Sequence, residues 1–208
     1  SFPEAISTVK NIQKDGGNFN VVYGLEGYFV NDCILAVEGD EDADIFNDEL
    51  IVFDLETTGF SGQDDRITEI GAVKIKNGEV IESFNTFVNP KRPIPYRITE
   101  ITGITDDMVK DAPEEKEAIE NFICFIGNKI LIAHNASFDM SFLIATAGRN
   151  NIEIKNTYID TVTISRTIFK EIKNHKLDTV AKHLNLEKFN HHRASDDANI
   201  LAHIFFKI

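Results

Sequence analysis

The sequence predicts an α/β fold with a mixed β-sheet. Three strand patterns follow one another in the middle of the chain, and strands alternate with helices after them. The composition, 42% hydrophobic and 26% charged residues in a chain of 208, is that of an ordinary globular protein and argues against wholesale disorder. No apolar run reaches the ~18 residues that span a bilayer, so no membrane partner is expected. With two cysteines, Cys33 and Cys124, and no visible signal peptide, a reducing cytoplasmic location is expected.

An acidic stretch divides the chain. Residues 38–48 contain six acids and no Lys or Arg, which predicts a linker. Residues 1–37 precede it, with a predicted helix over Pro3–Lys14 and two predicted strands, Asn20–Gly24 and Tyr28–Val30. So short a piece makes a poor core alone, which indicates a fragment of a larger domain. Residues 49–208 are long enough to form an independent domain.

The elements of residues 49–208 follow from apolar periodicity and turn signals. Five strands are predicted, the last of them running into a helix: Leu50–Glu56, Ile67–Lys76, Val80–Val88, Lys129–Ala133 and Thr157–Thr163. Asn77-Gly78 predicts a hairpin between the second and third of them. Four helices are predicted: Pro113–Ile126, Ser137–Gly148, which would end at its glycine, Leu177–Leu184 and Ala194–Lys207.

Two carboxylates stand in the first strand of this block. Side chains alternate across a strand, so Asp54 and Glu56 share one face while Phe53 and Leu55 share the other. Adjacent carboxylates repel and resist desolvation, and a cation between them would relieve both costs. Strand ends are also the usual location of α/β sites. The alternative is a strand end that has already reached solvent.

Two further acids lie on the apolar faces of helices. Asp139 has Phe142 and Leu143 at its helical neighbour positions, although an acid in a first turn also favours the helix dipole. Asp197 precedes Ile200, Leu201 and Ile204 at helical spacing, so it points inward. An inward carboxylate needs a partner, which could be a metal ion or a structural Lys or Arg.

His192 stands five residues before Asp197. Histidine is the side chain poised to take a proton near neutral pH, although a histidine in a loop is usually a surface residue. Oxygen-only ligands favour Mg²⁺ or Mn²⁺ over zinc, and paired divalent ions suit hydrolysis of a phosphodiester. The net charge of −13 argues against a protein that binds nucleic acid through a basic surface. Bound divalent ions would nevertheless let the acidic site bind phosphate.

Three motifs resemble those of the DEDDh 3′–5′ exonucleases: Phe53–Gly59, His134–Asp139 and His192–Ala198. The resemblance covers residues 49–208 and implies the ribonuclease-H-like fold. It also implies that the four acids Asp54, Glu56, Asp139 and Asp197 bind two divalent ions, Mg²⁺ or Mn²⁺, with Asp54 bridging them. His192 would be the general base.

The same resemblance implies contacts with the substrate strand. Thr57 would meet the 3′-terminal nucleotide, and Asn135 and Phe138 would lie along the strand. Thr102 occupies a position beside the terminal nucleotide that is His in some relatives. Phe60 could stack on the terminal base, which suits an enzyme that does not read sequence. Its alternative role is a lid over the core.

The N-terminal piece carries a second, shorter resemblance. Residues 21–32, Val-Val-Tyr-Gly-Leu-Glu-Gly-Tyr-Phe-Val-Asn-Asp, look like part of a polymerase-and-histidinol-phosphatase (PHP) domain. In PolC-type replicative polymerases, an exonuclease of this kind is inserted into the PHP domain, so residues 1–37 would be the PHP fragment. Glu26 matches a position that can bind metal in PHP domains. The other PHP ligands are missing from the chain, so no working PHP site is expected.

These resemblances predict a proofreading 3′–5′ exodeoxyribonuclease that releases deoxynucleoside monophosphates from single-stranded or frayed 3′ ends. Its expected partners are the PHP and polymerase domains of the same polypeptide and replisome components such as the sliding clamp. The acidic surface predicts weak independent DNA binding. Two alternatives remain open: an RNA-trimming exonuclease of the same family, and a non-catalytic docking module of the replicase.

Overall fold

A computed structural model of the protein describes residues 2–14, 16, 35–39, 49–186 and 193–208. They belong to two compact units, residues 1–34 and 35–208. In the first unit, helix α1 spans Phe2–Lys14, which confirms the predicted N-terminal helix. Several predicted features lie outside the described residues: both N-terminal strands, Glu26, residues 40–48 of the linker, and His192.

The second unit is built on a six-stranded mixed sheet, which confirms the predicted fold class. Its strands are β1 (Val37–Glu38), β2 (Leu50–Thr57), β3 (Ile67–Lys76), β4 (Glu79–Phe87), β5 (Ile130–Ala133) and β6 (Tyr158–Asp160). They are ordered β1-β6-β5-β2-β3-β4. Strands β2, β3 and β4 are antiparallel neighbours, β5 and β6 run parallel to β2, and β1 is antiparallel to β6.

The turn between β3 and β4 is the hairpin that the sequence predicts. Asn77 and Gly78 have φ angles of 52° and 79°. Positive φ at both central residues matches the right-handed twist of the flanking strands, and Asn and Gly adopt it at the lowest cost.

Seven helices complete the described part of this unit: α2 (Tyr96–Thr102), α3 (Asp106–Val109), α4 (Glu115–Ile126), α5 (Ala136–Arg149), α6 (Thr161–Ile168), α7 (Leu177–His183) and α8 (Ala194–Phe205). The four predicted helices appear as α4, α5, α7 and α8. Helices α2 and α3 were not predicted. Helix α5 continues one residue past Gly148, so the prediction of a glycine end was wrong there.

The sheet separates two apolar cores. Ile51, Phe53 and Leu55 pack with α4 and α5 on one face. Leu50 and Val52 pack with α7 and α8 on the other. The alternation confirms that Asp54 and Glu56 lie on the face opposite Phe53 and Leu55, which is the face that α8 covers. Within the described residues, no helix combines the length and apolar character that crossing a bilayer requires.

The second unit takes in residues from the predicted N-terminal piece. Val37 and Glu38 pair with Ile159 and Tyr158, and so extend the sheet by one short strand. The unit therefore begins at residue 35, three residues before the predicted linker. The assignment of residues 1–37 to a PHP fragment, 38–48 to a linker and 49–208 to an exonuclease domain stays a prediction.

Candidate active site

Three of the four predicted acids meet at one end of the sheet. Asp54 and Glu56 project from β2, and Asp197 projects from the first turn of α8. One carboxylate oxygen from each lies within 4.8 Å of the other two. Asp197 is buried, at 5% exposure, on the same stripe as Leu201 and Ile204, as the helical spacing predicted.

A glycine allows α8 to come this close. Gly71 on β3 is the register partner of Asp54 on β2. A Cβ atom at Gly71 would lie 2.1 Å from the carbonyl carbon of Ala194 and 2.2 Å from the amide nitrogen of Ser195. Real Cβ atoms do not approach backbone atoms so closely, so only glycine lets the start of α8 rest on β3 beside Asp54.

An ion pair between the buried Glu69 and the half-buried Arg193 fixes the same end of α8. Glu69 is the register partner of Glu56 and is fully buried, and both of its carboxylate oxygens accept hydrogen bonds from Arg193, at 3.1 and 3.0 Å. The amide of Ala194 donates to Glu69 at 3.3 Å. The carbonyl of Arg193 in turn accepts from the amide of Asp197 at 2.9 Å. This pair therefore ties the backbone that positions Asp197 to the strand beside Glu56.

Neither member of this ion pair was predicted from the sequence as a partner of the other. The signal that the sequence offered was Glu69, the one charged residue among the first seven of the strand Ile67–Lys76. A buried carboxylate requires a partner, but the partner lies 124 residues away in sequence and depends on where α8 packs.

The fourth acid, Asp139, approaches from the other side of β2. It is 3% exposed, and its Oδ1 accepts a hydrogen bond of 3.2 Å from the amide of Leu55. Strand β5 pairs with β2 only as far as Val52, so the amide of Leu55 faces an open edge that Asp139 fills. Asp139 lies outside the 4.8 Å group, but its charge raises the pKa of Asp54. It is thus a neighbour of Asp54 as well as a first-turn residue of α5.

Burial and mutual repulsion disfavour ionisation of these acids. Burial, followed by the charges of Asp139, Glu56 and Asp197, raises the pKa of Asp54 well above its ordinary value. Burial and then the charge of Asp197 raise the pKa of Glu56 to about 8, and Arg193 opposes this only in part. Burial raises the pKa of Asp139 to about 8, against the hydrogen bond from Leu55. Asp54 and Glu56 are both half-buried, so this strand end is not fully open to solvent.

The donor set fits divalent cations. All of its atoms are carboxylate oxygens, which hard ions such as Mg²⁺ and Mn²⁺ prefer. Within the described residues, neither Asp54 nor Glu56 forms a salt bridge with Lys or Arg. A cation at this point would therefore offset both the burial and the repulsion that raise the pKa values of these acids.

We expect the metal-free protein to lose stability as the pH rises from 5.5 to 8. The pKa of Glu56 is about 8 in the folded protein against 4.5 without burial, so the folded state binds the extra proton across this window. Glu56→Gln should raise the melting temperature in EDTA at pH 8 by about 5 °C, and much less at pH 5.5. Thermal unfolding followed by circular dichroism measures this, with the exposed Glu79→Gln as control. An equal gain at both pH values would contradict the pKa assignment.

A cavity of about 740 Å³ opens beside the acids. Asp54 and Asp197 line it, and so do His134 and Asn135, which directly follow β5. The remaining lining comes from α6, from the loop after it and from the start of α7: Val162, Arg166, Lys173, Asn174, His175, Lys176, Leu177 and Asp178.

Comparison with known proteins supplies the family. The sequence model of the Exonuclease family (RNase_T) matches residues 51–205, which make up most of the chain. The chain belongs to the Exonuclease family.

This exonuclease also resembles parts of long curated proteins. It is 46% identical, over 98% of its length, to the DNA polymerase III PolC-type of Clostridium perfringens. It is 42% identical, over its full length, to the protein of the same name in Bacillus subtilis. In each case the chain spans only 14% of the relative.

Solved structures with the same fold are exonucleases. Exonuclease X in complex with 5′-overhanging duplex DNA matches 76% of this chain and 89% of its own, with 30% identity and a TM-score of 0.61. The zinc-bound form of the E. coli ExoI–ssDNA complex matches 77% of this chain and 40% of its own, with 18% identity and a TM-score of 0.70. These likenesses confirm the predicted ribonuclease-H-like fold.

The residues predicted to contact the substrate of the exonuclease differ from one another in exposure and in hydrogen bonding. Phe60 is 66% exposed, with the guanidinium of Arg97 5.5 Å from its ring centre, so it does not cover the core as a lid would. Thr57 is buried, and its hydroxyl donates to the carbonyl of Gly59 at 2.7 Å. Thr102 is buried, and its hydroxyl bonds within its own turn, to Ile98 and Ile104 at 3.1 Å.

The remaining two contacts lie at the start of α5. Asn135 is exposed and has a φ of 67°. Its backbone N–H donates a hydrogen bond of 2.9 Å to the carboxylate of Asp160. Phe138 is half-buried against Phe142, with ring centres 5.1 Å apart. Asp160, which sequence analysis did not single out, also accepts from Val162 at 3.0 Å and so joins the starts of α5 and α6. The roles of all five contacts toward substrate stay predictions.

Proposed function

We propose that the chain is the proofreading 3′–5′ exodeoxyribonuclease of a PolC-type DNA polymerase III. The observation that carries the proposal is the convergence of Asp54, Glu56 and Asp197 within 4.8 Å, in a chain 40–46% identical to PolC-type polymerases. The polymerase and PHP domains of the longer polypeptide, and a sliding clamp, are the partners that this assignment implies. They would deliver a 3′ end to a chain whose net charge is −13.

Asp54, Glu56, Asp139 and Asp197 would hold two divalent ions, Mg²⁺ or Mn²⁺, with Asp54 shared because it neighbours the other three acids. The ions would supply positive charge to the phosphodiester and acidify a water molecule. The raised pKa values support this, because a bound cation would restore the ionised form of each acid.

The chain's own residues bind and orient the strand around that centre. His192 accepts the proton of the attacking water, and the neighbouring Arg193 is held by Glu69. Phe60 stacks on the terminal base through its exposed ring, while Asn135 and Phe138 lie along the strand. Thr57 and Thr102 line the terminal nucleotide. None of these contacts reads a base edge, which suits an enzyme that removes any mismatched nucleotide.

The test is a primer with a 5′ label and either a matched or a mismatched 3′ end. We expect stepwise shortening in Mg²⁺ or Mn²⁺, none in EDTA, and faster removal of the mismatch, because its unpairing costs less. Single strands of DNA and RNA of the same sequence separate this proposal from RNA trimming. Loss of label from the 5′ end, preference for RNA, or equal activity in EDTA would each contradict it.

A further inference from the structure

The acidic chain contains one markedly basic segment beside the candidate site. Residues 166–176, the end of α6 and the loop before α7, contain four basic residues and a single acid. The basic residues are Arg166, Lys170, Lys173 and Lys176. Three of them, all but Lys170, line the cavity that Asp54 and Asp197 also line.

Hydrogen bonds hold this segment at the edge of the sheet. Nε2 of His134 lies 2.7 Å from the carbonyl oxygen of His175, which can only accept, so Nε2 carries a proton. Nδ1 of His134 lies 2.9 Å from the hydroxyl of Thr161. Nδ1 of His175 lies 3.0 Å from the hydroxyl of Ser165, which is buried. The basic segment is therefore fixed to the end of β5, next to the motif residue Asn135.

The charges of the segment are available to a ligand. Arg166, Lys173 and Lys176 are exposed, and among the described residues none of them forms a salt bridge. By contrast, several lysines elsewhere on the surface are paired, as Lys91 is with Glu114 and Lys155 with Glu153. Asp178, the lining acid that is nearest to the segment in sequence, accepts hydrogen bonds from the backbone amide and the hydroxyl of Thr179.

We propose that Arg166, Lys173 and Lys176 form a phosphate-binding wall for the substrate strand. One phosphodiester of the strand meets the acids through bound cations, and the phosphates that follow along the backbone meet the wall. Guanidinium and ammonium groups bind phosphate without reading the base, which matches the sequence-independent contacts proposed for Phe60, Asn135 and Phe138. The wall also supplies the local positive potential that the chain as a whole lacks. This inference rests on the proposed function, because it assigns the wall to that function's substrate.

The test is the salt dependence of binding. Binding of a fluorescein-labelled dT octamer to the 208-residue chain is measured by anisotropy in Ca²⁺ from 50 to 300 mM KCl, with the oligonucleotide verified as intact. The triple variant Arg166→Gln/Lys173→Gln/Lys176→Gln should lower the slope of log affinity against log salt by about 2, since each phosphate contact to a single strand contributes about 0.7. Its affinity at 50 mM salt should fall about tenfold or more, and its KM for strand degradation should rise correspondingly.

A matched control removes the same charge elsewhere. Lys91→Gln/Lys116→Gln/Lys155→Gln replaces three lysines that do not line the cavity, so it should keep the wild-type slope. An unchanged slope in the wall variant, or an equal fall in both variants, would overturn the wall. If the wild type degrades 3′ ends and the wall variant binds DNA normally, the assignment of the phosphate-binding wall is wrong and the proposed function stands. If the wild type has no nuclease activity but the wall variant alone loses salt-dependent binding, the proposed function fails and the wall stands.

Discussion

Replacing Asp54 and Glu56 together with Ala is expected to reduce nuclease activity by at least about 1,000-fold while the protein stays folded. The two carboxylates provide two of the three oxygens that lie within 4.8 Å of one another. Metal-assisted stabilisation of a phosphodiester transition state amounts to several kcal/mol, and about 4 kcal/mol corresponds to 1,000-fold in rate. The rate of mononucleotide release from a single-stranded primer in Mg²⁺ is the measurement.

The fold should survive this change because both side chains are costly in the metal-free protein. Burial raises the pKa of both groups, and the charge of Glu56 raises the pKa of Asp54 further, so removing the two side chains removes this cost at the strand end. Glu79→Ala/Glu117→Ala is the matched control, since it removes two exposed acids that do not line the cavity. Full activity in the Asp54/Glu56 variant would refute the site, and so would equal losses in the two variants. Circular dichroism separates lost chemistry from lost structure.

The side-chain directions at the site were predictable because they follow from local periodicity. Alternation along β2 places Asp54 and Glu56 on one face, and helical spacing places Asp197 on the buried stripe of α8. The hairpin followed from Asn77-Gly78, whose positive φ angles few other pairs adopt easily.

What the sequence did not predict depends on contacts between distant segments. The ion pair of Glu69 and Arg193 requires both the register of β3 against β2 and the docking of α8. The bond from Leu55 to Asp139 exists because β5 stops pairing at Val52. The charge of residues 166–176 is visible in the sequence, but its place beside the acids depends on the bonds of His134. Helices α2 and α3, of seven and four residues, are too short to show a clear apolar period.

Gly71→Ala is expected to impair activity about 100-fold or more and to lower the melting temperature, although it adds a single methyl group. That methyl would lie 2.1 Å from the backbone of Ala194, so the start of α8 must move away from β3. Overpacking of this kind costs about 1–3 kcal/mol, which is about 2–10 °C in a domain of this size. The movement carries Asp197 away from Asp54 and Glu56, and displacements of about 1 Å can cost 100-fold in rate.

Binding of Mn²⁺ separates this displacement from general loss of stability. Titration calorimetry at a temperature where Gly71→Ala is fully folded should show weaker Mn²⁺ binding, since one carboxylate no longer reaches the other two. Gly148→Ala in α5 is the matched control: a Cβ there meets no atom within 4 Å, and alanine favours the helix. It should keep activity and gain slightly in melting temperature. Normal Mn²⁺ affinity and activity in Gly71→Ala would mean that the close approach of α8 to β3 is not what assembles the three acids.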